Sequence, residues 1–385
     1  MKKVIKKSRV ALVACDTYNN NEVYEAVKRG LDLIGGLARY VKSGEKIVLK
    51  PNVLIGAAPE RCVCTHPAVF RAVGKILIEA GVDVSCGDSP GFGGCRVNMR
   101  LAGLKQVADE LGIPFADFSH GRVVMHKEAL LNRRFTIANG VLDADGLVSL
   151  PKLKTHGLTR MTGAVKNQFG CIPGFIKGQH HARTPDPFDF ATMLVDLNTL
   201  IKSRLYIMDA IMAMEGNGPR SGNPRKLGVI LVSDDPIALD AVACKLIDLE
   251  PSLVPTSQPG EKSGLGTYRY ENIEIVGDDV EKYICRDFDV VRKPPVPAAG
   301  GRFGRFVKSH ASPRPVIDGK LCTACGTCVK HCPVGPKAVD WLRGDESRPP
   351  VYNYGRCIRC FCCQEMCPEG AISVKEPLLG KLFFS

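Results

Sequence analysis

No stretch of this 385-residue chain is apolar over the roughly 18 residues that a membrane-spanning helix needs. The run Val10-Ala11-Leu12-Val13-Ala14-Cys15 follows Lys2, Lys3, Lys6, Lys7 and Arg9. It is too short for a secretory signal, which needs about 7–15 apolar residues. It reads as a first β-strand, and the expected location is cytoplasmic. Acidic charge is scarce: 40 Asp and Glu stand against 52 Lys and Arg, a net charge of +12. Such a surplus can serve nucleic acid, an anionic membrane surface or an acidic redox partner. The basic residues are spread out and no aromatic-rich basic motif accompanies them, so nucleic acid is not expected. A dinucleotide fingerprint and a P-loop are missing too; the glycine-rich loop 87–94 fits neither. No flavin motif is visible.

What the chain does have is an ordinary globular balance, 45% hydrophobic and 24% charged, enough to bury a sizeable core. From residue 8 to about 280, strand and helix patterns alternate. Residues 10–14, 46–49, 82–85, 146–150, 205–208, 227–232 and 273–276 read as strands. Residues 23–37, 67–80, 103–111, 189–201 and 236–249 read as helices, with Thr65 as a possible cap of the second and Asp235 as a cap of the last. This alternation predicts an α/β large domain with a mainly parallel sheet over residues 1–285. A Pro/Gly-rich basic linker follows at 286–314, then a small domain at 315–376 and a tail at 377–385.

The small domain is defined by cysteine. Of 17 cysteines, nine fall between Cys322 and Cys367, a spacing that points to metal rather than disulfides. The other eight (Cys15, Cys62, Cys64, Cys86, Cys95, Cys171, Cys244 and Cys285) are scattered, as buried small hydrophobes are. Two copies of one pattern stand in tandem: Cys322-x-x-Cys325-x-x-Cys328-x-x-x-Cys332-Pro333 and Cys357-x-x-Cys360-x-x-Cys363-x-x-x-Cys367-Pro368. Zinc ribbons use two CxxC pairs instead. The runs resemble those of bacterial ferredoxins, α+β domains that hold two [4Fe–4S] clusters. The resemblance implies one cluster on Cys322, Cys325, Cys328 and Cys367, and a second on Cys357, Cys360, Cys363 and Cys332. Cys362 is spare.

In the large domain, Lys50-Pro51-Asn52, Gly87-Asp88-Ser89-Pro90-Gly91, Pro151-Lys152-Leu153-Lys154-Thr155-His156 and Gly163-Ala164-Val165-Lys166-Asn167 stand out. Asp209-Ala210, Glu215-Gly216-Asn217-Gly218-Pro219 and Asp234-Asp235-Pro236-Ile237-Ala238-Leu239-Asp240 follow. Together these resemble the domain-of-unknown-function 362 family, often fused to such ferredoxins; the family implies no reaction. Several of the motifs begin where a predicted strand ends, the edge at which open α/β sheets bind ligands. Lys50, Lys152, Lys154, Lys166 and Lys177, with His156, His180 and His181, would either form a pocket for a carboxylate or phosphate or remain solvated surface. Lys177 reads as surface. Lys152, Lys154, His156 and Lys166 are the candidate site residues, the first two and His156 expected in a loop and sharing one side of it. Asp88, Asp209, Glu215, Asp235 and Asp240 are further candidate acids, and His66 reads as structural. The expected function is transfer of electrons from the ferredoxin module, supplied by a redox partner protein, to a small anionic substrate. Two alternatives stay open: a non-redox enzyme or ligand-binding domain with a structural or sensing ferredoxin, and an electron carrier with a docking domain.

Overall fold

The computed structural model describes residues 7–174, 176–297 and 312–377. The strands of the large domain are β1 (Ser8–Ala14), β2 (Lys46–Pro51), β3 (Asp83–Cys86), β4 (Gly121–Met125), β5 (Arg134–Ala138), β6 (Gly146–Leu150), β7 (Lys152–His156), β8 (Arg160–Thr162), β9 (Leu205–Glu215), β10 (Asn223–Ser233) and β11 (Ile273–Gly277). Among the described residues, nine of them form one sheet in the order β11-β1-β10-β9-β6-β2-β3, with β7 on β9 and β8 on β7. Strands β3, β2, β6 and β9 run parallel, as do β1 and β11; β10 is antiparallel to both neighbours. A separate hairpin, β4–β5, lies off this sheet. The large domain is therefore α/β with a mainly parallel sheet.

Side-chain alternation covers the sheet on both faces. Val13, Ile207 and Ile230 enter one core, while their neighbours Leu12, Met208 and Leu231 enter the other. The first core takes Val27 and Leu77 from the helices Asn20–Leu33 and Pro67–Glu79; the second takes Leu239 and Val242 from Pro236–Leu246. A strand buried on both faces reads as a continuous apolar run, which is how Val10–Val13 looks. Helix starts follow local chemistry. Asp235 Oδ1 accepts from the backbone N–H of Ile237 and Ala238, both at 2.9 Å. His66, not Thr65, caps the second helix: its Nδ1 accepts from Ala68 N at 3.1 Å. Thr65 instead bridges β6 to the loop after β2, donating to Leu150 O at 2.6 Å and accepting from Asn52 N at 2.8 Å.

The chain after Pro151 is not the expected loop. It resumes at once as β7, fully buried, parallel to β9 and antiparallel to β8. Its lysines resemble loop residues in the sequence, but each finds a buried acceptor. Likewise β9 and β10 run past the predicted 205–208 and 227–232, because Asp209 and Lys226 interrupt the apolar run without ending the ladder.

In the small domain, strand Arg314–Ile317 pairs with Ile372–Lys375, and Val339–Asp340 pairs with Val351–Tyr352. The helices Thr327–His331 and Cys362–Met366 each carry the third cysteine of a run. The first part of the expected linker is packed rather than open. Phe288 is buried with Leu246 and Ile247, and Arg292 Nε donates to Asp248 O at 2.7 Å. Residues 298–311 and 378–385, the remaining linker and most of the tail, lie outside the described residues.

Candidate functional site at the domain interface

Seven residues of the small domain, Lys330 to Pro333, Cys362, Glu365 and Met366, close one side of a cavity of about 510 Å³. The large domain supplies the rest: Asn52 and Val53 after β2, Asp88 and Ser89 after β3, Lys154 and His156 of β7, Lys166 and Asn167 of a short turn of helix, and Lys177 and His181 of the helix Ile176–Arg183. The segments after β2 and β3 are strand ends, the edge at which a parallel sheet binds ligands.

The candidate residues separate within this frame. Lys152 does not line the cavity. It is fully buried behind it, with Nζ at 2.8 Å from Asp209 Oδ2 and 2.9 Å from the hydroxyl of Tyr18. Tyr18 donates in turn to Asp209 Oδ1 at 2.8 Å and stacks on His66. The register against β9 jumps from Asp209 opposite Lys152 to Met214 opposite Lys154, so the two lysines meet different surroundings. The expected convergence of Lys152, Lys154 and His156 on one anion is thus corrected: Lys152 is spent on Asp209. Lys154 Nζ donates to Asn52 Oδ1 at 2.8 Å and to Val63 O at 2.6 Å. Burial, with repulsion from Lys166 and Lys152, lowers its pKa to about 8. Lys50 is also buried, 2.8 Å from Asp88 Oδ1. Gly170 permits that pair, since a Cβ there would lie 1.8 Å from the same oxygen.

Lys177, read from sequence as surface, lines the cavity. It donates to both Ser89 O and Ser89 Oγ and, at 2.8 Å, to Pro90 O, and burial lowers its pKa to about 7. His181 faces the cavity with an unpartnered Nδ1, and burial brings its pKa down to about 3. His180 does not line it and packs against Phe135. His156 Nδ1 accepts from the backbone N–H groups of Leu158 at 3.0 Å and Thr159 at 3.4 Å. This assigns its proton to Nε2, 3.1 Å from Glu365 Oε1. Burial lowers the His156 pKa. Burial alone would raise the Glu365 carboxyl, but His156, Lys166 and His181 outweigh it and hold it at about 2. At neutral pH the pair is a carboxylate facing a neutral imidazole.

The two parts are clasped beside the cavity. Gln364 Nε2 donates to Asn217 Oδ1 and Gly218 O, both at 2.9 Å, and Asn217 Nδ2 donates to Ile372 O at 3.0 Å. Arg220 donates to Met366 O at 2.6 Å. Gly218 leaves no room for a side chain, since a Cβ there would meet Thr155 O and Oγ1 at 2.4 Å. The segment Glu215 to Pro219, one of the motifs singled out in the sequence, docks the small domain.

The cysteines fit cluster ligation. Cys322, Cys325, Cys328 and Cys367 line one small void with Ile317 and Ile372, whereas no three His, Cys, Asp or Glu side chains among the described residues stand at single-ion spacing. Both runs turn through the left-handed region at matching positions, Ala324 and Gly326 in the first, Arg359 and Phe361 in the second. For the three non-glycine residues that costs about 1–3 kcal/mol each, a strain that persists where the surrounding structure fixes the loop. Ala338 N donates to Cys332 Sγ at 3.4 Å and the Tyr352 hydroxyl to Cys363 Sγ at 3.2 Å, the kind of bond cluster thiolates accept. Cys332 and Cys362 both reach the cavity wall.

A family model described as "Domain of unknown function (DUF362)" matches residues 47–245, just over half of the chain. The chain belongs to the DUF362 family. A second model, "4Fe-4S dicluster domain", matches residues 314–368, which makes this an iron–sulfur protein. A protein of Synechocystis sp. described as thylakoid-associated is 37% identical over 257 residues, covering 66% of this chain and 79% of the relative. Among solved structures, the lactate racemase apoprotein from Thermoanaerobacterium thermosaccharolyticum aligns with a TM-score of 0.39 at 11% identity over 62% of this chain. A Thermotoga maritima protein aligns with a TM-score of 0.34 at 11% identity over 61%. The chain spans 57% and 60% of those two structures' own lengths. No helix among the described residues is long and apolar enough to cross a membrane.

Beyond the DUF362 motifs, the sequence reading missed Glu365, Gln364, Tyr18 and Met366. Glu365 and Gln364 lie inside a cysteine run, where ligand spacing masks any other signal. Tyr18 sits in a short loop before the first helix and meets Asp209 only through the sheet.

Proposed function

We propose that this protein passes electrons from two [4Fe–4S] clusters to a small anionic substrate held between the DUF362 domain and the ferredoxin module. One observation carries the reading: the cavity has Lys154, Lys166 and His156 on one wall and Cys332 on the other. The eight thiolates would hold the clusters in the two sets given above, and the clusters would supply single electrons at the Cys332 wall. The chain's own residues do the rest. Lys154 and Lys166 attract and orient the anion, and charge-assisted bonds of this kind contribute about 1.5–3 kcal/mol. His156, with its proton on Nε2, stands at the same wall as a proton donor. Docking of the module covers the cavity and limits water. Cys325, in the other set, is exposed, which suits approach of a redox partner protein from outside. Eight free thiols in use as ligands suit a reducing compartment, and we place the protein in the cytoplasm on that ground.

The test is anaerobic purification, with metal and sulfide analysis and mass spectrometry of molecules released on denaturation. A released anion that reoxidises the reduced protein, and does so at least about tenfold more slowly in Lys154→Met, supports the reading. Stoichiometric zinc without visible absorption, or reoxidation indifferent to Lys154, overturns it.

A further inference from the structure

The lysines at and behind the cavity fall into two sets, Lys50, Lys152 and Lys154 buried and Lys166 and Lys177 half-buried. Lys152 and Lys50, behind the cavity, are each closed by a carboxylate, Asp209 and Asp88. Lys154, Lys166 and Lys177, which line it, have none. Lys154 and Lys177 donate only to amide and backbone carbonyls and a serine hydroxyl. Lys166 Nζ has no hydrogen-bond acceptor among the described residues and stands over the rings of Phe169 and Phe190, at 5.1 and 5.8 Å. The one carboxylate left facing the cavity is Glu365, and its partner His156 is neutral. Fully protonated, these three amines would stand against one carboxylate with about two positive charges unpartnered, a costly arrangement in a partly dry site. The lowered pKa values of Lys154 and Lys177 relieve it in part, and a bound anion would return both amines to the charged form. His181 adds an unpartnered ring nitrogen on a side chain only 5% exposed, and Arg183 and Lys330 add positive charge at the rim.

We propose that the cavity is a dianion site, taking a small molecule with two negative charges, a phosphate monoester or a dicarboxylate, anchored on Lys166. The proposal rests on the cavity being the substrate site, and it names the class of substrate. Of these three lysines, Lys166 is the one whose three protons are unclaimed among the described residues; Lys154 and Lys177 supply the flanking charge, and His181 a neutral hydrogen bond. A monoanion leaves one of the enclosed charges unbalanced, so the site discriminates by charge. Reduction of a cluster held by Cys332 would add negative charge near this wall and weaken dianion binding, and by reciprocity a bound dianion would make that cluster harder to reduce.

Calorimetry on the full-length, anaerobically prepared iron–sulfur protein tests this at pH 7 and fixed ionic strength, with inorganic phosphate, succinate and acetate as probes. Phosphate or succinate is expected to bind at least about tenfold tighter than acetate. Lys166→Met should abolish that preference while leaving cluster absorption intact, and Lys166→Arg should keep it. Equal affinities for succinate, phosphate and acetate, or a preference that survives Lys166→Met, would overturn the dianion site. A dianion preference identical in oxidised and electrochemically reduced protein leaves the site standing and counts against electron delivery alone.

Discussion

In the DUF362 domain, neighbouring residues such as Leu12 and Val13 or Ile207 and Met208 feed two separate aliphatic cores on either side of one sheet. In the ferredoxin module the core comes down to Val329, Val339, Ala371 and Ile372, set among Cys328, Cys363 and Cys367. A chain of some 60 residues with so few buried aliphatic groups is marginal without a staple. The difference teaches that hydrophobic burial stabilises one part and cluster ligation the other, although both build one cavity. Cluster removal should break the comparison open most visibly. Anaerobic protein should carry close to eight iron and eight sulfide. Chelation should then erase amide-exchange protection across 314–375 and leave the nine-stranded sheet protected. Simultaneous loss of protection in both parts would show that the sheet depends on the module.

The same contrast explains what could be read in the sequence. Cluster ligation demands cysteines at fixed short spacing, so the module and its thiols were legible residue by residue. The alternation of strands and helices was legible because buried parallel strands are continuous apolar runs. The cavity was legible only in part. Lys154, His156 and Lys166 were singled out and do line it, but Lys152 was grouped with them because a lysine shows its charge in sequence and not its partner. Asp209 lies 57 positions from Lys152 and meets it only through the pairing of β7 with β9. Strand β7 itself was hidden, since a strand whose alternate residues are Lys152, Lys154 and His156 looks like a solvated loop.

Lysines on either side of the cavity wall sharpen the comparison next. Lys152→Met strands Asp209, which is fully buried, with only the Tyr18 hydroxyl and the His66 N–H. Removing one partner of a buried pair costs about 3–5 kcal/mol. Lys166→Met strands nothing and should stay within about 0.5 kcal/mol of the parent. Denaturant unfolding followed by far-UV dichroism separates the two, and a similar cost for both would mean that Lys166 also has a structural partner.

Acid should act first on the DUF362 side. His181 is stacked on Phe190 at 4.3 Å, and burial lowers its pKa to about 3. The unfolded chain takes up that proton near pH 6.5, while the folded domain refuses it until about pH 3. The stability is present above 6.5 and is lost as pH falls through this window, at up to about 1.4 kcal/mol per pH unit. His180, lowered by burial to about 4, adds to the same slope. Unfolding midpoints at pH 7.0 and 5.5 should differ by about 1–3 kcal/mol, and His181→Phe should flatten the profile. A flat profile in the parent protein would mean that these rings are solvated.

The smallest effect belongs to neither part alone. Asn217→Ala removes a bond to Ile372 O and an acceptor for Gln364 Nε2, both across the interface. Two such bonds contribute about 1–3 kcal/mol, against an interface that keeps Arg220 on Met366 O and Glu365 beside His156. The substitution removes no residue of the aliphatic cores and no cysteine, and Gln364 keeps its bond to Gly218 O, so iron content and the global unfolding midpoint should hold. What should change is the closed geometry. Amides of 364–372 should exchange about ten times faster, and anion affinity should fall by a similar factor, because the cavity exists only while the module is seated. Gln364 lies between Cys363 and Glu365, so the clasp sets both a cluster thiol and a cavity carboxylate against the lysine wall. If exchange and anion affinity stay as in the parent protein, seating is carried by Arg220 and Glu365, and Arg220→Ala becomes the variant that must open the cavity.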